Sequence, residues 1–274
     1  MKLDATVVIP CHNDCIIAEK LKENIREQIM QPKSIIIAHN GCGKGFDFSN
    51  KAKAINKTAK NINTKYTIIL DSDVRLSKFC FSAFNEAIKN KINFGYSRVL
   101  QMDSDIIEKV KKEMDYEAYN GCCWYIKTSI LKRNKIPEDI VTEDTAYYYI
   151  MKKRGYKQKI VYDAVCYVNY YEKTFKKKFR QGVRYCLGGL QLMSKRIEFS
   201  DGITVYVILL LQLFFILTIF PFIIINFLVF SEGYYYYFKN RKNKDRYSRF
   251  YSGLYLNVIP IVALYYFIFK KEIW

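Results

Sequence analysis

Two carboxylate pairs and one cationic helical stretch hold the residues of this chain whose types and spacing could do chemistry. The first pair, Asp71-Ser72-Asp73, ends the apolar run Tyr66–Leu70. Adjacent carboxylates repel, and a hard divalent cation that bridges them to a diphosphate would relieve the repulsion. A plain turn at a strand end is the other reading, because short motifs of this kind mislead easily. The second pair, Glu143-Asp144, opens a helical pattern that closes with Lys152, Lys153 and Arg154, followed by Gly155. There the acids either complement the helix dipole, worth about 0.3–1 kcal/mol, or Asp144 acts as a general base on a hydroxyl within hydrogen-bond reach. The third stretch, "KTFKKKFRQGVRYCLGGLQL", turns through roughly 100° per residue as a helix. Phe175, Phe179, Val183, Cys186, Leu187 and Leu190 share one face, and Gln181, Arg184, Tyr185 and Gly188 the opposite one. The polar face offers an amide, a cation and a ring; a basic amphipathic interface helix is the alternative.

These groups need elements to hold them. "TVVIP" and "SIIIAHN" read as short β-branched strands, with a helix over "IIAEKLKENIREQI" between them. "NKAKAINKTAKNI" gives a second helix, "YTIIL" a third strand and "KFCFSAFNEAIKN" a further helix. Such alternation predicts an α/β domain with a mainly parallel sheet, whose ligands bind beyond the carboxyl ends of the strands. Asp71 and Asp73 fall at one such end. A second D-S-D, Asp103 to Asp105, precedes "IIEKVKKEM" and reads as a helix cap with a favourable acid in the first turn.

The chain has 274 residues, room for one large domain and an appendage. Its 44 Lys and Arg against 26 Asp and Glu suggest anionic partners. "GCGKG" is no P-loop, since it lacks the first glycine and Lys44 is followed by Gly45. The basic residues crowd beside the hydrophobic segments, which favours lipid phosphate over nucleic acid. The eight cysteines show no paired C-x-x-C spacing and only two histidines accompany them, so reduced thiols are expected rather than a zinc site. With "TVVIP" beginning at Thr6, no signal peptide is expected before the first strand.

Composition changes near residue 200. Gly202 to Ser231 carries no charge, and the hydrophobic segment 203–230 is long enough to cross a bilayer. The second segment, 250–269, is just long enough and contains Pro260. Basic residues from Lys173 to Arg196 put the preceding region on the cytoplasmic side. The segment between the two runs is also basic, from Lys239 to Arg249, which two simple spans would place outside. A first run bent at Pro221 into a re-entrant or interfacial element is the alternative.

In order, "TVVIPCHND", "KAKAIN", "LDSDV", "TED" and "QGVRY" resemble the motifs of the family 2 inverting glycosyltransferases, particularly the membrane-bound cellulose-synthase-like branch. The resemblance runs from about residue 5 to 190. It implies a GT-A, Rossmann-like nucleotide-diphospho-sugar transferase domain over 1–171, an interface helix over 172–200, and a membrane-associated region over 201–274 with hydrophobic helices. It also implies that Asp144 is the catalytic base, with Glu143 beside it, and that Asp71 and Asp73 hold Mg²⁺ or Mn²⁺. Pro10, His39, Asn40, Lys51, Asn56, Asp71, Asp73, Gln181, Arg184 and Tyr185 would meet the nucleotide-sugar, and Gly121, Trp124 and Tyr185 the acceptor. Two departures stand out: His39 and Asn40 replace the acidic residue that usually reads the base, and Tyr185 replaces a tryptophan.

The resemblance therefore implies a membrane-anchored, metal-dependent transferase at the cytoplasmic face, with a donor expected to be UDP-linked. The acceptor would be a lipid-linked or growing glycan. Two hydrophobic segments cannot enclose a polymer channel, so the enzyme adds one or a few sugars or assembles with partner membrane subunits. Two rival readings use the same features: a catalytically silent membrane subunit that binds nucleotide or a partner synthase, and a sugar-phosphate nucleotidyltransferase.

Overall fold

A computed structural model describes residues 2–11, 15–39, 49–101, 121–168, 175–197, 207, 209–210 and 258–269. Its strands are β1 (Lys2–Cys11), β2 (Gln31–His39), β3 (Tyr66–Leu70), β4 (Val74–Leu76), β5 (Phe94–Gln101), β6 (Cys123–Lys127) and β7 (Lys159–Val168). The described helices are α1 (Cys15–Arg26), α2 (Ser49–Ala59), α3 (Cys80–Lys89), α4 (Thr128–Arg133), α5 (Glu143–Lys153), α6 (Phe175–Ser194) and α7 (Ile259–Phe269). The chain divides into two compact units: Met1–Asp139 with Glu143–Glu172, and Ile140–Thr142 with Lys173–Trp274.

The first unit is built on one seven-stranded sheet of order β2-β1-β3-β6-β5-β7-β4. The expectation of a mainly parallel sheet is corrected here. Pairs β1/β2, β1/β3 and β5/β7 are parallel, whereas β3/β6, β5/β6 and β4/β7 are antiparallel. The readable strand–helix alternation stopped near residue 90, and β6 then inserts in reverse beside β3. Every residue of β3 is buried, as a strand covered on both faces requires.

Successive side chains of a strand point to opposite faces, and the two cores follow that period. Val7, Ile9, Ile68 and Leu70 pack with Leu21 and Ile25 of α1 and with Phe81 and Phe84 of α3. On the other face Val8, Ile69, Trp124 and Ile126 pack with Ala52 and Ile55 of α2 and with Tyr147 and Met151 of α5. Helix α5 stops as its sequence predicts. Gly155 adopts φ 77°, its N–H donates to Lys152 O at 3.0 Å, and the Tyr156 N–H donates to Met151 O at 3.1 Å. That pairing is a Schellman stop, which needs a residue free to adopt positive φ. Cys80, Cys123 and Cys166 are fully buried in the first core, and no disulfide joins Cys11, Cys80, Cys122, Cys123, Cys166 and Cys186.

In the second unit α7 packs along α6. Val183, Cys186, Leu187 and Leu190 of α6 are buried, matching the apolar face of the wheel. The opposite face is not simply solvated, because Gly188 is closed by Thr142: a side chain there would overlap the threonine hydroxyl. Arg184 Nε donates to Val141 O at 3.0 Å, and the Val141 N–H donates to Gln191 Oε1 at 2.9 Å.

Among the described residues no helix is long and apolar enough to cross a membrane. Helix α7 has 11 residues, about 16 Å at 1.5 Å each, against about 30 Å of hydrocarbon. The spanning expectation for 250–269 is therefore not met by its described part. Pro260 stands in the first turn of α7, where a residue with no N–H to donate is tolerated. The run 203–230 and the Asp103–Asp105 cap lie outside the described residues, apart from Val207, Leu209 and Leu210.

Candidate active site

The site grows from the carboxyl end of β3. Strand β3 stops at Leu70, and Asp71-Ser72-Asp73 turns the chain into the short β4. The Asp71 N–H donates to Cys122 O at 2.8 Å, which fixes the turn against the segment leading into β6. Pro10, opposite Ala38, and His39, opposite Cys11, lie at the same carboxyl edge on β1 and β2. This is the edge at which open α/β sheets bind ligands. Asn40 lies outside the described residues.

Helix α2 brings Lys51 to this edge. Its Nζ lies 2.6 Å from Asp71 Oδ1 and 3.4 Å from Glu143 Oε1. Glu143 and Asp144 form the first turn of α5, where a carboxylate is favoured by the helix dipole. The two acids differ sharply in surroundings: Glu143 is 1% exposed, while Asp144 is half-buried. Asp144 Oδ1 accepts the Thr145 N–H at 2.7 Å. Its carboxylate lies directly on Gly121, where a Cβ would overlap it. Gly121 and Cys122 thus tie the two motifs together, one residue carrying Asp144 and the next accepting from Asp71.

Charge is unbalanced here. Burial alone would lower the Lys51 ammonium, but Asp71, Glu143 and Asp144 outweigh it and hold Lys51 well above the usual lysine range. Burial raises Asp71, and Lys51 offsets this only partly because Asp73 and Asp144 add repulsion. Three carboxylates, those of Asp71, Glu143 and Asp144, therefore bear on the Lys51 ammonium. Asp73 is exposed. Such an edge is poised to receive further positive charge.

Other expected residues are placed differently. Asn56 is 7% exposed, and its amide is committed to the loop after α4: Nδ2 donates to Ile136 O and to Glu138 Oε1, both at 2.9 Å, and Oδ1 accepts the Ile136 N–H at 3.0 Å. It braces a loop rather than facing a nucleotide. Trp124 is 1% exposed, packed between Phe94 and Tyr147, with ring centroids 5.3 and 5.8 Å away. Period 2 along β6 turns it into the core, so it is no acceptor platform. At Gly121 the missing side chain makes room for Asp144. Gln181, Arg184 and Tyr185 lie on α6 in the second unit, where Gln181 Nε2 donates to Tyr185 Oη at 2.6 Å. The Cys122 carbonyl and the Glu138 clamp carry no sequence signal: a backbone acceptor leaves no mark, and Glu138 sits in an ordinary loop pattern.

No protein-family model matches the sequence, and no curated protein does. Solved structures do match. The mannosyltransferase PcManGT of Pyrobaculum calidifontis, solved with GDP-Man and Mn²⁺, aligns at TM-score 0.65 and 14% identity over 98% of this chain and 88% of that one. The chain has a GT-A-like fold. Crystal structures of S. aureus TarS also align, whole at TM-score 0.45 and 13% identity, and as residues 1–349 with UDP at 0.44 and 12%. These cover 68% and 69% of this chain and 40% and 66% of theirs.

Among the described residues no three His, Cys, Asp or Glu side chains group so as to hold a metal by themselves. The oxygen donors of Asp71 and Asp73 nevertheless suit Mg²⁺ or Mn²⁺ of the kind held by one or two carboxylates plus substrate phosphates and water.

Proposed function

We propose that this protein is a membrane-anchored, metal-dependent inverting glycosyltransferase. The observation that carries the reading is the Asp144 carboxylate, seated on Gly121 and bound through Cys122 to the Asp71 turn, at the carboxyl edge of a GT-A-like sheet. The reading draws its base and its cation-binding carboxylates from this one local cluster.

Asp144 takes the proton from an acceptor hydroxyl. The oxygen attacks the anomeric carbon from the face opposite the leaving group, and the bond from that carbon to the phosphate oxygen breaks as the new bond forms. Nucleoside diphosphate departs with the electron pair, and configuration inverts. Asp73 and Asp71 would hold the divalent ion, which supplies charge neutralisation at the diphosphate when bound. Gln181, Arg184 and Tyr185 keep, within this proposal, the diphosphate and acceptor roles that the sequence resemblance implies.

The donor is a nucleotide-sugar. UDP-linkage is the reading from sequence, and the GDP-Man bound by PcManGT puts GDP-sugars on the same footing in a test. The acceptor is a lipid-linked or growing glycan, with partner membrane subunits as an option. Membrane attachment is supported by the uncharged run Gly202–Ser231. It is supported too by α7, whose Ile261, Tyr265, Ile268 and Phe269 are exposed on a helix without a charged residue. The catalytic unit would face the cytoplasm.

The test is nucleoside diphosphate release from a panel of UDP- and GDP-sugars, with detergent-purified full-length protein in Mn²⁺, Mg²⁺ or EDTA. Release from one donor, suppressed by EDTA, is expected. Release of pyrophosphate from a sugar phosphate and a nucleotide would replace the proposal with nucleotidyl transfer. Silence of folded protein supplied with membrane lipid extract would favour a silent subunit.

A further inference from the structure

Glu143 has the position of a catalytic acid and the surroundings of a structural one. At 1% exposure its carboxylate is shielded from a substrate, and Lys51 Nζ lies 3.4 Å from its Oε1. Lys51 also reaches Asp71 Oδ1 at 2.6 Å. One ammonium thus joins three elements: α2, which carries Lys51; the end of β3, which carries Asp71; and the first residue of α5. Asp144 is the very next residue of α5, so the anchorage of Glu143 sets where Asp144 begins.

We infer that Lys51 and Glu143 are a positioning pair, in which Lys51 cross-links the Asp71 turn to the first turn of α5 and so fixes the distance between the diphosphate end of the site and its base. Glu143 is the counter-ion of Lys51, not a second acid–base group. Lys51 contributes less to gripping the nucleotide than to holding the two carboxylate motifs in register. Its ammonium suits this task because a lysine on a flexible stem can serve two oxygens in different directions.

Breaking a buried pair from one side costs more than removing both charges, and that asymmetry gives a test. The full-length protein is made as Lys51→Met, Glu143→Gln, Lys51→Met/Glu143→Gln and Lys51→Arg, and each is melted in detergent without metal or nucleotide. Lys51→Met is expected to melt at least about 5 °C below the wild type, a shift of the size a lost buried interaction gives a domain. The double variant is expected to lose clearly less than the sum of the two single losses, Asp71 being left without Lys51 in both methionine variants, and Lys51→Arg to stay near the wild type. In nucleoside diphosphate release, Glu143→Gln is expected to lower kcat about 10–100-fold with donor KM within threefold, the split that displacement of the base produces. Additive melting losses in the double variant would overturn the pair, and so would Glu143→Gln with kcat within twofold of wild type. The kinetic half rests on the glycosyl-transfer reading; the melting cycle does not, so failure of one is distinguishable from failure of the other.

Discussion

Replacing Gly121 by alanine adds one methyl group where the Asp144 carboxyl group lies. The new Cβ would stand 2.5 Å from Asp144 Cγ and 2.8 Å from its Cβ, where ordinary carbon contacts need about 3.5–4.0 Å. The carboxyl group must therefore retreat by about 1 Å. Such a displacement of a reacting group costs about 100-fold in rate, or about 2.7 kcal/mol of barrier. Crowding of this kind also costs roughly 1–3 kcal/mol of stability, so the assay has to separate the two effects. Gly121→Ala is expected to keep a cooperative melt and donor affinity within threefold of the wild type. Its kcat for nucleoside diphosphate release should fall about 100-fold. Combined with Asp144→Asn, it should cost little more than Asp144→Asn alone, because both act on one group. An alanine variant that turns over within threefold of the wild type would show that Asp144 is not the group whose position matters.

Asp73→Asn is expected to raise the Mn²⁺ concentration for half-maximal activity at least about tenfold, since one or two carboxylates are all the protein gives such an ion; metal titration reads this out. Asn56→Ala should cost about 2–4 kcal/mol in a denaturant melt, because it leaves the buried Ile136 N–H and C=O without their partner. Donor KM should be unchanged by it, and a raised KM would return Asn56 to the nucleotide. Burial and contact with Cys123 push the Cys80 thiol up, and contact with Cys123 and burial do the same for Cys166. Raised thiol values keep both protonated at pH 8, and any stability they contribute is lost only as pH rises through those raised values. Peptide mapping after iodoacetamide at pH 8 should find Cys80 and Cys166 unmodified in native protein and modified in urea.

Local patterns carried much of the first unit. β3 was legible residue by residue, because a five-residue β-branched and aromatic run bounded by lysine and aspartate has few other uses. Helix α5 was legible from both ends, through Glu143-Asp144 and Gly155, since dipole complement and left-handed stop are sequence-local effects. Strand direction was not legible. β6 lies antiparallel to β3 for reasons of long-range packing, and no residue in Cys123–Lys127 announces its partner. Site residues divided along the same line. Asp71, Asp73, Lys51 and Asp144 stand out by type and order, and the structure gathers Lys51, Asp71 and Asp144 at one sheet edge. Asn56 and Trp124, by contrast, have the right types for ligand contact and face inward, one into a loop and one into an aromatic core. Pattern gives a side chain's identity, and only the fold gives its direction.

The claim at the centre is that Asp144 is the base of a glycosyl transfer run at the edge of this sheet. Turnover by wild type and Asp144→Asn on the active donor, with nucleotide-sugar binding measured in parallel, tests it most directly. The account predicts retained binding and a loss of about 100- to 10,000-fold in turnover, the usual worth of a positioned base. Near-normal turnover by Asp144→Asn, with binding intact, would contradict it.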